Sequence, residues 1–142
     1  MTVGLLIISH DEVGNSLLAS ATGILGLCPL HTQSLSVSPG DALEDIRTRA
    51  TGLLRDLRGG DGVLILTDLL GSTPSNVASL FQRPGEVNVV AGLNLPMLIK
   101  VLSHPSQSLQ RLTELAMEGG QQGVRPGMPQ SVHPLPKSAA GK

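Results

Sequence analysis

Residues Val3 to Ser9 read VGLLIIS. So short and continuous an apolar run predicts a strand covered on both faces, since a half-exposed strand would alternate. It runs into His10. From Asp11 to Leu25 the period changes to that of a helix, with Leu17, Leu18, Ala21, Ile24 and Leu25 on one face and Gly26 as its stop. Thr32 to Val37 alternates weakly and predicts a second strand nearer an edge. Ser38-Pro39-Gly40-Asp41 is a turn, and Asp41 and Glu44 stand at capping-box spacing. The helix that follows, Ala42 to Arg58, places Leu43, Ile46, Ala50, Leu53, Leu54 and Leu57 on one stripe.

The second half repeats the alternation. Gly62 to Thr67 (GVLILT) predicts a third, doubly covered strand that runs into Asp68. After Leu69-Leu70, the segment Gly71-Ser72-Thr73-Pro74-Ser75-Asn76 has the makings of a helix start, with Thr73 as N-cap and Pro74 in the first helical position. That helix ends near Gln82. Glu86 to Ala91 predicts a fourth strand, Leu95 to Leu102 a short helix, and Ser106 to Glu118 a last helix stopped by Gly119-Gly120. One domain is expected over residues 1–124, with 125–142, rich in Gly, Pro, Gln and Ser, as a flexible tail.

Strand and helix in strict alternation predict a three-layer α/β/α fold with a mainly parallel four-stranded sheet and right-handed crossovers. The order 2-1-3-4 is the leading arrangement. Gln121 to Arg125 is long enough to add an antiparallel edge strand at the C-terminus.

Composition narrows the function. The chain has 142 residues, one Phe, no Tyr or Trp, and a net charge of −1 from ten basic and eleven acidic residues. Scattered basic residues and absent aromatic platforms argue against nucleic-acid binding. No apolar run is long enough for a membrane span. Met1-Thr2-Val3-Gly4 lacks the basic start of a secretory leader. The single cysteine, Cys28, rules out an internal disulfide framework and fits a reducing cytoplasm; it is expected to pack as a small hydrophobe. No His/Cys/carboxylate spacing suggests a metal site, and no cofactor is expected. His31, His104 and His133 are read as surface or structural.

In an open parallel sheet, ligands bind beyond the carboxyl ends of the strands, where strand order reverses. With order 2-1-3-4, strands 1 and 3 meet there. His10 ends the first, Asp68 ends the third, and segment 71–76 opens a helix at the same rim. Singly, each has a plain reading as a solvated loop residue, a turn residue and a helix start. Together they suggest more. A carboxylate at Nδ1 of an imidazole leaves Nε2 free as a nucleophile. A helix N-terminus offers unpaired N–H groups to an anion. Phosphoryl transfer is the chemistry these parts suggest; hydrolysis or elimination with His10 as base, and non-covalent anion binding, stay open.

At these residues the sequence resembles the IIA domain of the mannose family of the bacterial sugar phosphotransferase system. Three blocks carry the resemblance over residues 1 to about 124: LLIISH at 5–10, Asp68-Leu-Leu-Gly71-Ser72-Thr73-Pro74-Ser75-Asn76, and Gly92-Leu93-Asn94-Leu95-Pro96-Met97. The second fits a D-x-x-G-G/S-S/T-P-x-N pattern and the third G-x-N-x-P-M. The resemblance implies that His10 takes a phosphoryl group from phospho-HPr and passes it to a IIB domain or spends it as a regulatory signal. Asp68 would orient His10. Gly71, Ser72 and Thr73 would line the phosphoryl site, and Asn94 would hold the loops at the same rim. A cytoplasmic homodimer with exchanged C-terminal strands, at most peripheral to a membrane permease, is also implied. The phosphotransfer domain of bacterial dihydroxyacetone kinase fits the same pattern. Asp11-Glu12 departs from the small or aromatic residue common after the family's histidine and is read as favouring a helix start.

Overall fold

The computed structural model describes residues 2–127. Four strands and five helices follow one another as β1 (Gly4–His10), α1 (Val13–Leu25), β2 (Thr32–Val37), α2 (Leu43–Leu57), β3 (Val63–Thr67), α3 (Thr73–Leu80), β4 (Val87–Ala91), α4 (Leu95–Leu102) and α5 (Leu109–Gln122). The sheet has the order β2-β1-β3-β4, and every pairing is parallel.

The central strands are apolar throughout because both faces are covered. Alternate residues of one strand enter different cores. Leu5, Ile7, Leu64 and Leu66 face α1, α4 and α5, whereas Leu6, Ile8, Val63 and Ile65 face α2 and α3. Leu5 to Ile8 are completely buried. With one Phe in the chain, close fit among aliphatic side chains fills both cores.

The helix boundaries differ from the sequence reading in three instructive places. First, α1 begins at Val13, because Asp11 adopts a left-handed conformation (φ 44) that no helix continues. Second, Asp41 does not cap α2: its Oδ2 accepts the Ser38 N–H at 2.8 Å, closing the preceding turn, and Ala42 is the N-cap. Third, α5 runs through Gly119 and Gly120. A Cβ on Gly119 would lie 2.5 Å from Lys100 Cβ, and one on Gly123 would clash with the Pro96 ring. These glycines let α5 cross closely over α4, and that packing outweighs their low helix propensity.

The expected C-terminal edge strand is replaced by helix: Gln121 and Gln122 complete α5, and residues 123–127 belong to no strand. Cys28 is exposed rather than packed in the core, with its Sγ 3.5 Å from the Leu30 carbonyl. Leu43, placed on the apolar stripe of α2 by its spacing, is also exposed. Residues 128–142, most of the expected tail, and with them His133, lie outside the described residues. Among the described residues, no helix is long and apolar enough to cross a membrane.

Candidate functional site

His10 is the last residue of β1, and the next strand of the sheet, β3, ends one residue before Asp68. The strand register therefore delivers the two residues to one point on the carboxyl rim. Asp68 Oδ2 accepts two hydrogen bonds from His10, from the main-chain N–H at 2.9 Å and from ring Nδ1 at 2.8 Å. Its Oδ1 accepts the Leu69 N–H at 2.9 Å. Burial pushes the Asp68 carboxyl up. The hydrogen bonds from the His10 main chain and ring, the charge of the ring, and the Leu69 amide outweigh burial and hold it below its ordinary value of 3.8.

That balance determines the tautomer. An ionised carboxylate only accepts hydrogen bonds, so Nδ1 carries a proton in either form of the ring, and the tautomer that this contact selects has its lone pair on Nε2. The His10 side chain is 43% exposed while that of Asp68 is 13% exposed. The carboxylate is thus shielded behind a ring whose other edge is open to a partner.

A second set of contacts holds the backbone beneath the ring. Ser9 is buried, and its Oγ accepts the Gly14 N–H at 2.8 Å. A Cβ on Gly14 would lie 2.5 Å from that oxygen. The first turn of α1 is therefore pressed onto the residue before His10, with the left-handed Asp11 making the corner between them. Ser9, Gly14 and the Asp11 corner were not apparent as site elements in the sequence. A serine inside an apolar run carries no signal until the helix opposite it is known. Asp11 and Glu12 are both exposed, and Glu12 Oε2 accepts from Asn15 Nδ2 at 2.8 Å.

The start of α3 lies on the face of the sheet toward which His10 points by strand alternation, the side shared with Leu6 and Ile8. The N-cap is Ser72, one residue before the Thr73 expected, and it makes no side-chain cap bond. Its Oγ instead donates to the Leu69 carbonyl at 2.6 Å, bracing the loop after Asp68. Thr73 is exposed. Gly71 (φ 88) makes the turn, and its N–H donates to the buried Ser75 Oγ at 3.3 Å. The first amides of α3 thus lack the side-chain acceptor that usually closes a helix start. Asn94 sits on the same rim but belongs to α4: its Oδ1 caps the Met97 N–H at 2.9 Å, and its Nδ2 donates to the Gly120 carbonyl at 3.2 Å.

Fold and site together define a doubly wound α/β domain with an oriented histidine at its topological switch point. Comparison with known proteins gives the family. The model of the family described as the fructose IIA component of the phosphotransferase system, EIIA-man, matches residues 4–117. The chain is 32% identical to the mannose-specific EIIAB component of the phosphotransferase system of Escherichia coli K12, an alignment that takes in 100% of this chain and 46% of that one. A fructose-specific EIIA component of Bacillus subtilis is 34% identical over 65 residues, which are 45% of this chain and 44% of that one. The chain spans about half the length of the curated relatives it matches. Among structures, the mannose/sorbose-specific IIA subunit from Enterococcus faecalis superposes with a TM-score of 0.81 at 29% identity, covering 94% of this chain and 100% of that one. The EIIA component from Streptococcus agalactiae gives 0.73 at 25% identity, with 87% and 96% covered. The chain belongs to the mannose- and fructose-type IIA components of the sugar phosphotransferase system.

Proposed function

We propose that this protein is a phosphohistidine carrier, taking a phosphoryl group from phospho-HPr on Nε2 of His10 and passing it to a IIB domain or to a regulatory target. The observation that carries the reading is the 2.8 Å contact between His10 Nδ1 and an Asp68 carboxylate held ionised at neutral pH. In the transfer, the Nε2 lone pair attacks phosphorus. The bond from phosphorus to the donor imidazole breaks, and its electron pair stays on the donor nitrogen. His10 keeps its Nδ1 proton throughout. Asp68 offsets the positive charge that the ring gains, an electrostatic contribution that needs no rearrangement.

The open start of α3 is suited to hold the phosphoryl oxygens, with Gly71, Ser72 and Thr73 around it. The Ser72 hydroxyl and N–H are both directed to the Leu69 carbonyl and the Gly71 N–H to Ser75 Oγ, so the donors would be the main-chain amides of Thr73 and Ser75, aided by the helix dipole. Asp68 is a positioning residue; Asn94 keeps α4 and α5 in place behind the rim.

The pairing of two chains is part of the same proposal. β4 is an open edge, and Met117 and Val124 are exposed beside it, next to a cavity of about 300 Å³ that Val90 and Met97 also line. Sedimentation of the full chain at micromolar concentration is expected to give a dimer; a monomer overturns this part alone.

The test of the carrier is direct. Incubation with phosphoenolpyruvate, enzyme I and HPr is expected to load one acid-labile phosphoryl group per chain, located at His10 by phosphorus NMR and peptide mapping. No loading, or loading on His31 or His104, overturns the reading.

A further inference from the structure

A second cavity, away from His10, has the makings of a ligand site. It measures about 540 Å³ and lies between the end of α1, the outer face of α4 and the end of α5. That volume is in the range of small-molecule sites. Ile24, Leu95 and Ile99 give it apolar walls. Gly119 and Gly123 leave space where any side chain would reach α4.

Its Lys and Arg side chains give it a positive charge. Lys100 and Arg125 stand at the cavity, and no acidic side chain lines it. Lys100 and Arg125, like the arginines of α2, form no ion pair among the described residues. Both cations are nonetheless held. The Lys100 stem packs against Gly119. Arg125 Nε donates to the Gln122 carbonyl at 2.8 Å, which leaves its terminal nitrogens free. Ser103 also lines the cavity, and its buried Oγ has no hydrogen-bond partner among the described residues. An unpartnered buried hydroxyl is uncommon in folded proteins and gains from any acceptor brought to it. His104 is fixed at the wall by its Nδ1, 2.8 Å from the Lys100 carbonyl.

We propose that this cavity binds a small amphipathic carboxylate of the medium-chain fatty-acid type. The aliphatic body would lie against Ile24, Leu95 and Ile99, with the carboxylate between Lys100 and Arg125 in reach of the Ser103 hydroxyl. The apolar walls demand a hydrocarbon body, and two unpaired cations demand a negative head. The chain's own segment 126–142 is a poor occupant, because it carries Lys137 and Lys142 and no acidic residue. The site is independent of phosphoryl transfer at His10.

The experiment is an amide-shift titration of the full-length chain with octanoate, octylamine and octanol as separate probes. Octanoate is expected to shift the amides of Ile99–His104 and Gly119–Arg125. The double variant Lys100→Gln/Arg125→Gln is expected to bind octanoate about tenfold or more weakly, the loss of charge-assisted hydrogen bonds, with octanol binding unchanged and the rest of the spectrum intact. Octylamine binding as well as octanoate overturns the proposal, as does a double variant that binds octanoate as tightly as the wild type. Octanoate shifting residues 128–142 would assign the cavity to the chain's own tail. Octanoate dissociating a dimer would assign it to a second copy. Either result also overturns the proposal.

Discussion

Two helix starts stand on the carboxyl rim of the sheet, built from nearly the same parts. α3 follows β3 through Gly71-Ser72-Thr73-Pro74, and α4 follows β4 through Gly92-Leu93-Asn94-Leu95-Pro96. Each has a glycine in the left-handed region, φ 88 and φ 92, and a proline in its first turn. Their ends are finished differently. Asn94 caps α4 and also reaches across to α5, so that start is closed and tied down. Ser72 turns its hydroxyl back to Leu69 and leaves α3 uncapped. Closing a helix start with a side chain stabilises it by about 1 kcal/mol. Forgoing this at α3, beside the His10–Asp68 pair, keeps amide donors available for an anion. One start is closed for stability, and on the proposed function the other is left open for chemistry.

The largest expected effect tests the chemistry that the open start would serve. His10→Ala should abolish phosphoryl loading from HPr. Its circular dichroism and melting curve should stay near wild type, because the ring is 43% exposed. A His10→Ala chain that still loads phosphate would remove the reason for an open α3.

Asp68→Asn should slow loading by about 100-fold without abolishing it, since an amide can still meet Nδ1 but neither enforces the tautomer nor offsets ring charge. An unchanged rate would take Asp68 out of the site. The same variant has a pH signature. The folded-state value of Asp68 lies below its ordinary 3.8, so its ionised form stabilises the fold. That contribution is complete above the unfolded value and is lost as pH falls through the lower folded value. Chemical denaturation should therefore show wild type more stable than Asp68→Asn at pH 7, with the gap closing below pH 3.8. A gap that widens in acid would contradict the assigned direction.

Ser72→Asp would make α3 resemble α4. It should raise stability by about 0.5–1 kcal/mol through the new cap and its charge at the helix N-terminus. It should also slow loading by roughly tenfold or more, because a carboxylate would occupy donors meant for phosphoryl oxygens and repel them. Faster loading in this variant would mean that α3 does not receive the anion.

The smallest expected effect on transfer comes from opening the closed start. Asn94→Ala should cost about 1 kcal/mol in denaturant unfolding and leave the loading rate unchanged. A large fall in rate with full stability would place Asn94 in the chemistry after all.

The pair His10 and Asp68 was legible early because two simple patterns coincide. VGLLIIS and GVLILT are each apolar without alternation, and each runs straight into a titratable residue, His10 and Asp68. Parallel order 2-1-3-4 then makes those ends neighbours. The supports of the site were not legible. Ser9 reads as one polar residue in an apolar strand, and Gly14 as a weak helix residue; only the approach of α1 to β1 gives them a joint role. Ser72 and Thr73 are nearly equal as cap residues by type, so the N-cap was placed one residue late. Gly119 and Gly120 read as a helix stop because propensity acts on local backbone freedom, and their role is to let another helix come close.

The sequence by itself determined the alternation of strands and helices, the double covering of β1 and β3, and the residues that follow those two strands, whereas the order that makes them neighbours is given by the fold. These follow from short-range periodicity, which is a property of consecutive residues. Only the tertiary structure decided which helix start was closed and where α5 ended. It also decided which nitrogen of His10 carries the proton and where two unpaired cations meet an apolar cavity. Each of these depends on atoms from distant segments meeting within a few ångströms, and no local pattern along the chain encodes that distance.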